Sequence, residues 1–506
     1  MHTELNTFMQ NGTLLAAIDL GSNSFRLEIG RLNHSQIHRT EYLKETVRQG
    51  NGLDTDRNLT LEAMQRGWDC LARFAERLAG FRKHQVRAVA TQTLREARNR
   101  DVFLQKANQI LGFPIEVISG REEARMIYQG VAHLLPQSPE RRLVIDIGGR
   151  STELILGQNL SAEVMESYRV GSVAWSMKYF ESGVFSDTAF ERAEIAAKAI
   201  LDEALISYSR QHWDTAYGSS GTVGAIADIL LAAGWPTGVI SREGLDWLQR
   251  CLLRVGHANK LRLEGLKEDR RAVIGGGISV LRALFDLLEM DKLQVAQGAL
   301  RHGVLYDMLE REEAGSDTRS QTVARLLTTF GVDTLQAQRV SKVARALLQQ
   351  LNHETHTEDI ARHQRKLDWA AQLHEIGSQI SHSDYHKHGA YILDNADALG
   401  FALPELHRLS LLVLGHRGKL RKLEVDFDDE SFIKQLLALR LAVILCHARR
   451  DPDYKSLRVS LLQKPARVFE LNLPEEWTQR FPQSAHLLME EVNAWQKTSW
   501  TLQIKA

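Results

Sequence analysis

The sequence predicts an α/β protein made of two related halves, followed by an α-helical region and a small C-terminal α+β segment. Three observations carry this. The stretch "AIDLGSNSFRLEIG" (17–30) returns as "VIDIGGRSTELILG" (144–157), the two sharing six of fourteen positions. Strand-like segments alternate with helical periodicity as far as about residue 310. Beyond it the apolar spacing is helical, and Leu, Arg and His are frequent.

Taken in order, Leu14 to Leu20 is a short apolar run, residues 21–24 are turn chemistry, and Phe25 to Leu32 begins with alternation, which together predict a β-hairpin with a polar tip. Leu143 to Ile147, Gly148 to Thr152 and Glu153 to Leu156 repeat it. Helices are predicted over 60–81 and 187–211, the second opened by a capping box of Thr188 and Glu191. Strands are predicted at 86–91, 115–119 and 215–221. The polar, charged run 310–321 reads as a linker, and "RVSLLQ" and "RVFELNLP" as late strands. These elements give boundaries at 1–127 and 128–310 for the two halves, 322–450 for the helical region and 451–506 for the C-terminal segment.

The chain has 506 residues, 43% of them hydrophobic and 25% charged, enough for three or four domains with full cores. Lys plus Arg (63) equal Asp plus Glu (63), so net charge points to no polyanion and any such site has to come from local clustering. Cys70, Cys251 and Cys446 form no CxxC pair, which argues for a reducing compartment and against structural zinc. The polar start lacks the order of a signal peptide, and no apolar run approaches the ~20 residues of a membrane span. A cytoplasmic location is expected; peripheral attachment to a membrane is not legible in the sequence.

A hairpin tip of Gly, Ser, Asn and Thr exposes backbone N–H groups and hydroxyls with little bulk, and such concave clusters bind phosphate oxygens. Gly21, Ser22, Asn23 and Ser24 form the first tip; Gly148, Gly149, Ser151 and Thr152 belong to the second. Asp19 and Asp146 end the preceding strands, where each can hold a metal or its waters. Mg²⁺ takes one or two carboxylates together with phosphate oxygens, and Asp146 and Glu153 flank the second tip. Two such loops facing across a cleft would grip one chain of phosphates from both sides. Read singly, each is also an ordinary β-turn. "GSSGTVGAIADIL" (218–230) leads a Gly/Ser turn into a helix, whose N-terminus favours phosphate at Ser220, Gly221 and Thr222. Ser119 and Glu122 have capping-box spacing, which gives Glu122 a structural task and leaves its neighbour Glu123 without one.

The two tips resemble the phosphate-binding hairpins of the actin, hsp70 and sugar-kinase superfamily. Together with "TQTLREARN", "VISGREEARMIYQGV", "GSSGTVGA" and "GALRHGVLY", they are similar to the exopolyphosphatase and guanosine pentaphosphate phosphatase family, in its long bacterial form. The resemblance implies two actin-like (ribonuclease H-like) halves around a central cleft. It also implies Mg²⁺ as cofactor and a homodimer, with inorganic polyphosphate, not nucleic acid, as partner. It makes Glu123 the catalytic carboxylate that orients and deprotonates water, and Arg95 a phosphate ligand; Arg48 is a weaker candidate of the same kind. Where the family carries Gly-Gly-Gly-Ser-Thr, this chain has Arg150 in the third place, a bulky cation at the tip. "IGGGISVLRALFDLL" (274–288) has the glycine-to-helix form that holds adenosine in kinases of the superfamily, or simply packs closely.

In the helical region, "DWAAQLHEIG", "HSDYHKHGAYIL" and "LGHRG" resemble a histidine-aspartate metal phosphohydrolase bundle, with His374-Glu375 in place of the required His-Asp. That substitution implies a degenerate, structural or polymer-guiding bundle in which His386, His388 and His416 are packed or surface residues. "HRGKLRK" (416–422) supplies Arg417, Lys419, Arg421 and Lys422 as a track for a long polyphosphate, unless "EVDFDDE" (424–430) pairs with them. The expected activity is therefore Mg²⁺-dependent release of orthophosphate from polyphosphate ends. The alternative is hydrolysis of guanosine pentaphosphate (pppGpp). A kinase-like ATP-binding module or a non-catalytic stress-signal binder is the reading of another class.

Overall fold

The apolar run from Leu14 and the alternation after Phe25 become paired strands in the computed structural model of the chain, which describes residues 10–34, 36–312, 317–352, 357–462 and 467–505. The chain divides into two compact units, Met1–Ser316 and Asp317–Ala506. Residues 313–316 of the predicted linker lie outside the described residues.

In the first unit, β1 (Leu14–Leu20), β2 (Phe25–Asn33) and β3 (Gln36–Glu45) form an antiparallel meander. Parallel β4 (Val86–Ala90) and β5 (Ile115–Val117) extend it to the order β3-β2-β1-β4-β5. Helices α1 (Leu61–Arg77), α2 (Gln92–Glu96) and α3 (Arg100–Leu111) connect these strands, and α4 (Gly120–Ala132) follows. The second sheet repeats the plan. Its meander is β6 (Arg141–Ile147), β7 (Thr152–Gln158) and β8 (Ser161–Tyr168). Strand β9 (Thr215–Ser219) runs parallel to β6, and β10 (Val239–Ser241) and β11 (Lys292–Val295) complete the order β10-β11-β9-β6-β7-β8. The predicted duplication is therefore present in strand order as well as in sequence.

Around this sheet lie α5 (Ser172–Tyr179), α6 (Asp187–Leu201), α7 (Ala204–Tyr208), α8 (Ser220–Ala232), α9 (Arg242–Val255), α10 (Ile274–Leu287) and α11 (Leu300–Glu312). The helix predicted over 187–211 is thus two helices and a short 3-10 turn at Arg210–His212. Its cap is not Thr188: the Ser186 hydroxyl accepts from the Ala189 N–H at 3.2 Å, because the chain turns helical two residues earlier than a Thr188 cap implies. Strands β3 and β8 escaped the sequence reading. "QIHRTEYLKE" lies at a sheet edge with side chains that alternate between exposed and half-buried, so it carries no apolar period.

Helices α4 and α11 meet backbone to backbone. A Cβ on Gly303 would stand 1.7 Å from the Met126 carbonyl oxygen, and one on Gly130 would stand 2.3 Å from that of Ala299. Beside this contact, buried Asp307 of α11 accepts from Arg87 of β4, Arg125 of α4 and Arg311. Arg125 also forks onto Glu122, with two bonds of 2.9 Å.

The second unit comprises α12 (Thr318–Thr329), α13 (Thr334–Leu351), α14 (Thr357–Leu373), α15 (Tyr385–Asn395), α16 (Leu403–Gly415) and α17 (Glu430–Leu445). Strands β12 (Arg458–Leu461) and β13 (Val468–Asn472), helices α18 (Trp477–Arg480) and α19 (Pro482–Trp495), and strand β14 (Thr501–Lys505) complete it. Phe469, Trp495 and Trp500 from these late elements join Leu347, Leu409 and Leu436 of the helices in one core. No helix among the described residues is long and apolar enough to cross a membrane, and the three cysteines are free.

Candidate active site

The two repeated tips face each other. A Cβ on Gly149 would lie 3.0 Å from Ser22 Cβ and 3.6 Å from the Asn23 nitrogen, so only glycine lets the loops approach this closely. The first tip (Gly21–Ser24) is braced from behind by the Gly50 N–H on the Ser22 carbonyl at 2.7 Å and the Arg48 N–H on the Asn23 carbonyl at 2.8 Å. Arg48 holds this place with left-handed φ 53°, its side chain exposed. Thr93 donates to the Ser22 hydroxyl at 2.8 Å. In the second tip, the Gly148 N–H closes the turn onto the Ser151 carbonyl at 2.9 Å. Thr152 does not offer its hydroxyl as predicted: it is fully buried and donates to the Val170 carbonyl at 2.6 Å, because β7 already begins there.

The third loop opens α8. Ser220 has φ 85°, a strained value for a residue with a side chain, and such strain persists only where the surroundings enforce it. Its hydroxyl donates to the Ile147 carbonyl at 2.9 Å, tying this loop to the second tip. Gly221 and Thr222 follow in the first helical turn, where free N–H groups concentrate.

Strand register explains why the duplicated hairpins differ electrically. Asp19 stands opposite Arg26, and the equivalent Asp146 stands opposite Glu153. The first pair is neutralised by a 3.0 Å ion pair; the second is a pair of buried acids. Burial pushes the Asp146 carboxyl up to about 7, with the nearby Glu123 charge adding to it. Burial, then Glu123 and Asp146, holds Glu153 well above the carboxylate range, although Ser167 donates to it at 2.7 Å.

Glu123 lies in the first turn of α4, whose cap is Ser119: its hydroxyl accepts from the Glu122 N–H at 3.1 Å. The Glu122 carboxylate is not the returning half of a capping box; it holds the Arg125 fork. Arg95 donates to Glu123 at 2.7 Å, to the Ile118 carbonyl at 2.9 Å and to Gln92. Arg95, expected as a phosphate ligand, bonds the catalytic candidate in this structure. Burial raises the Glu123 carboxyl despite Arg95, which makes it a better base at neutral pH than an ordinary glutamate.

Arg150 neither fills the tip nor forces a positive φ. It reaches back to the first half, bonding Glu96 at 3.1 Å and the Gly50 carbonyl at 3.1 Å. Its partners lie 54 and 100 residues away along the chain and share no motif with it, which is why sequence reading could not pair them. The run Gly275–Gly277 packs tightly: a Cβ on Gly276 would fall 2.5 Å from the Ser172 carbonyl, and one on Gly275 would fall 2.9 Å from Phe185.

Three contributors escaped the sequence reading. Ser167 and Glu96 carry no local signal, but Arg26 occupies the place in the first hairpin that Glu153 holds in the second, so aligning the repeats would have found it. Arg270 is the fourth surprise. It is 7% exposed, and its guanidinium has no carboxylate partner among the described residues. A Cβ on Gly221 would lie 2.2 Å from its Nη2 and 3.5 Å from Nη2 of Arg26, so two guanidinium groups meet at the third loop.

In the second unit, Arg417, Lys419, Arg421 and Lys422 are exposed on the loop after α16 and a 3-10 turn. Arg417 lies 4.7 Å over the Tyr385 ring, and none of the four has an ion-pair partner among the described residues; Asp428 and Asp429 pair with Arg467 and Arg408 instead. His374 and His416 are buried with ring centroids 5.4 Å apart, and His386 and His388 are half-buried. Among the described residues, no three His, Cys, Asp or Glu side chains are arranged to hold a metal by themselves, in either unit.

Residues 29–312 match the Ppx/GppA phosphatase family, and residues 318–492 match domain III of Ppx/GppA phosphatases. The chain belongs to the Ppx/GppA phosphatase family. It is 40% identical over 497 residues to a protein of Vibrio atlanticus (strain LGP32) named guanosine-5'-triphosphate,3'-diphosphate pyrophosphatase, covering 97% of this chain and 98% of the relative. A solved exopolyphosphatase-like protein is 27% identical, with a TM-score of 0.54 over 59% of this chain and 98% of its own. An exopolyphosphatase from Cytophaga hutchinsonii shares the fold, with a TM-score of 0.54 at 23% identity over 59% of this chain and 98% of its own. As a Ppx/GppA phosphatase, the chain is a hydrolase acting on phosphoanhydride bonds.

Proposed function

We propose that this chain removes the terminal 5'-phosphate of guanosine pentaphosphate, giving guanosine tetraphosphate and orthophosphate. The observation that carries this reading is Arg270, a buried guanidinium without a carboxylate partner among the described residues, beside Arg26 at the third loop. A linear phosphate chain gripped by the two tips has no need of a second cationic locus. A nucleotide with a separate 3'-diphosphate does, and Arg is suited to hold it through paired N–H donors. The full-length likeness to proteins named for this activity supports the same conclusion, in place of the polyphosphate substrate expected from sequence.

The two tips and the N-terminus of α8 would hold the 5'-phosphates through backbone N–H groups. Glu123 would orient a water and accept its proton as the water oxygen bonds to the terminal phosphorus and the anhydride bond breaks. Phosphoryl transfer needs mainly positioning and charge stabilisation, which this arrangement supplies. The residues fit a hard divalent ion such as Mg²⁺: Asp146 and Glu153 are buried acids with too little positive charge around them, and substrate oxygens would complete a ligand set. Asp19 is less suited to it, being paired with Arg26. Such an ion would offset phosphate charge during the reaction.

Polyphosphate remains the second reading, favoured by the unpaired basic stretch at Arg417–Lys422. Orthophosphate release by the purified protein with Mg²⁺ separates the two, comparing guanosine pentaphosphate, long polyphosphate and ATP, with Glu123→Gln alongside. Preference for the guanosine nucleotide, lost in the Gln variant, is expected. Faster release from polyphosphate would move the function to the second reading, and full activity in Glu123→Gln would remove Glu123 from the mechanism.

A further inference from the structure

We infer that Tyr42 is a stacking platform for the base of the nucleotide substrate, at the outer edge of the cleft; this rests on the guanosine nucleotide reading above. The register of the first sheet lays out the path. Asp19, Arg26 and Lys44 are cross-strand neighbours on β1, β2 and β3 and so point from one face. Strands are about 4.8 Å apart, so this row runs about 10 Å from Asp19 to the sheet edge. Lys44 reaches Asp269 at 3.0 Å, next in sequence to Arg270. The row therefore passes the two-arginine locus and ends in the open at β3.

Tyr42 stands on that edge two residues before Lys44, on the same face, opposite Glu28. Its ring is 41% exposed, unusual for an aromatic beside a buried charged site. Two guanidinium groups lie over it: Arg301, held by Glu28 at 2.9 Å, has its guanidinium carbon 5.0 Å from the ring centre, and exposed Arg39 lies 5.7 Å away. An exposed ring among cations suits a base attached to phosphates, since the ring takes the flat heterocycle while the cations take the charge. Inorganic polyphosphate has no flat group to place there. Tyr42 thus separates the two substrate classes chemically, whereas the phosphate loops treat their terminal phosphates alike.

The test compares kcat and KM of the wild-type protein, Tyr42→Ala and Tyr42→Phe on guanosine pentaphosphate and on inorganic tripolyphosphate. Tyr42→Ala is expected to lower kcat/KM for the nucleotide by about tenfold, the scale of one lost base stack, mostly through KM. Tyr42→Phe should keep it, and all three proteins should split tripolyphosphate equally. An unchanged nucleotide KM in Tyr42→Ala, or an equal loss on tripolyphosphate, would overturn the role of Tyr42 while leaving the guanosine reading in place. A wild-type protein that splits tripolyphosphate but not the nucleotide would sink both.

Discussion

Arg95 donates through Nη1 to Glu123 across 2.7 Å, and both side chains are nearly sealed from solvent. The pair sets the charge of the proposed base. An opposite charge favours ionisation, so Arg95 works against the burial that raises the Glu123 carboxyl. Removing it in Arg95→Ala raises that carboxyl further, and less of it is ionised at pH 7. We expect kcat at pH 7 to fall at least about tenfold, with the acid limb of the pH profile moved to higher pH and activity partly recovered there. A uniform loss at every pH would place Arg95 on the phosphate instead.

Arg270→Ala should act through binding. The loss of a charged donor to a second phosphate group is expected to raise KM for guanosine pentaphosphate by about tenfold or more, on the scale of a charge-assisted hydrogen bond. KM for tripolyphosphate should change far less. Steady-state kinetics on both substrates decide it, and equal effects on the two would assign Arg270 to the 5'-phosphates.

Asp307 offers a prediction about stability. Burial disfavours its charge, but Arg125, Arg311 and Arg87 outweigh burial and hold the carboxyl well below the usual range. Asp307→Asn keeps the shape and removes the buried charge that three guanidinium groups share, although Arg125 keeps Glu122 and Arg87 keeps Glu116. Breaking a buried charge network this way costs about 3–5 kcal/mol, read as a lower urea midpoint at unchanged m-value. A change below about 1 kcal/mol would mean that the arginines find other partners.

Glu28 gives a pH window. Burial opposes its ionisation, yet the bonds and charges of His302 and Arg301 bring the carboxyl down to about 2 from an ordinary 4.5. A depressed carboxyl contributes its stability above the unfolded value and loses it as pH falls through the folded one. The wild-type protein should therefore lose its advantage over Glu28→Gln between pH 4.5 and 2, by about 3 kcal/mol in all. Thermal unfolding of both proteins across that range measures it, and parallel curves would rule it out.

The two central hairpins were legible because β1 and β6 are buried on both faces and read as continuous apolar runs, with glycine and serine at the tips. The edge strands were not, since nothing buries "QIHRTEYLKE" deeply enough to impose a period. In the site, sequence spacing marked Ser119 as the cap of α4 and matched the two loops, which do meet, although the Glu122 carboxylate turns to Arg125 and not to the cap. It missed what depends on distant partners. Arg150 finds Glu96 from 54 positions away and Gly50 from 100, and Arg87 finds Asp307 from 220. Nor is the raised Glu123 carboxyl legible in sequence, because burial is a property of the folded chain.

The close approach of α4 and α11 bears on how the protein can move. Helix α4 closes the first half and α11 the second, and carbonyl oxygens sit where side chains would be at Gly130 and Gly303. Neither helix can slide past the other or draw back without losing that fit and the charges on Asp307. The two halves are bound along this line like the covers of a book along its spine, so widening the cleft has to be a turn about it. Glu123, the proposed base, rides at the N-terminal end of one of those spine helices, so any turn about the spine would also re-aim that carboxylate.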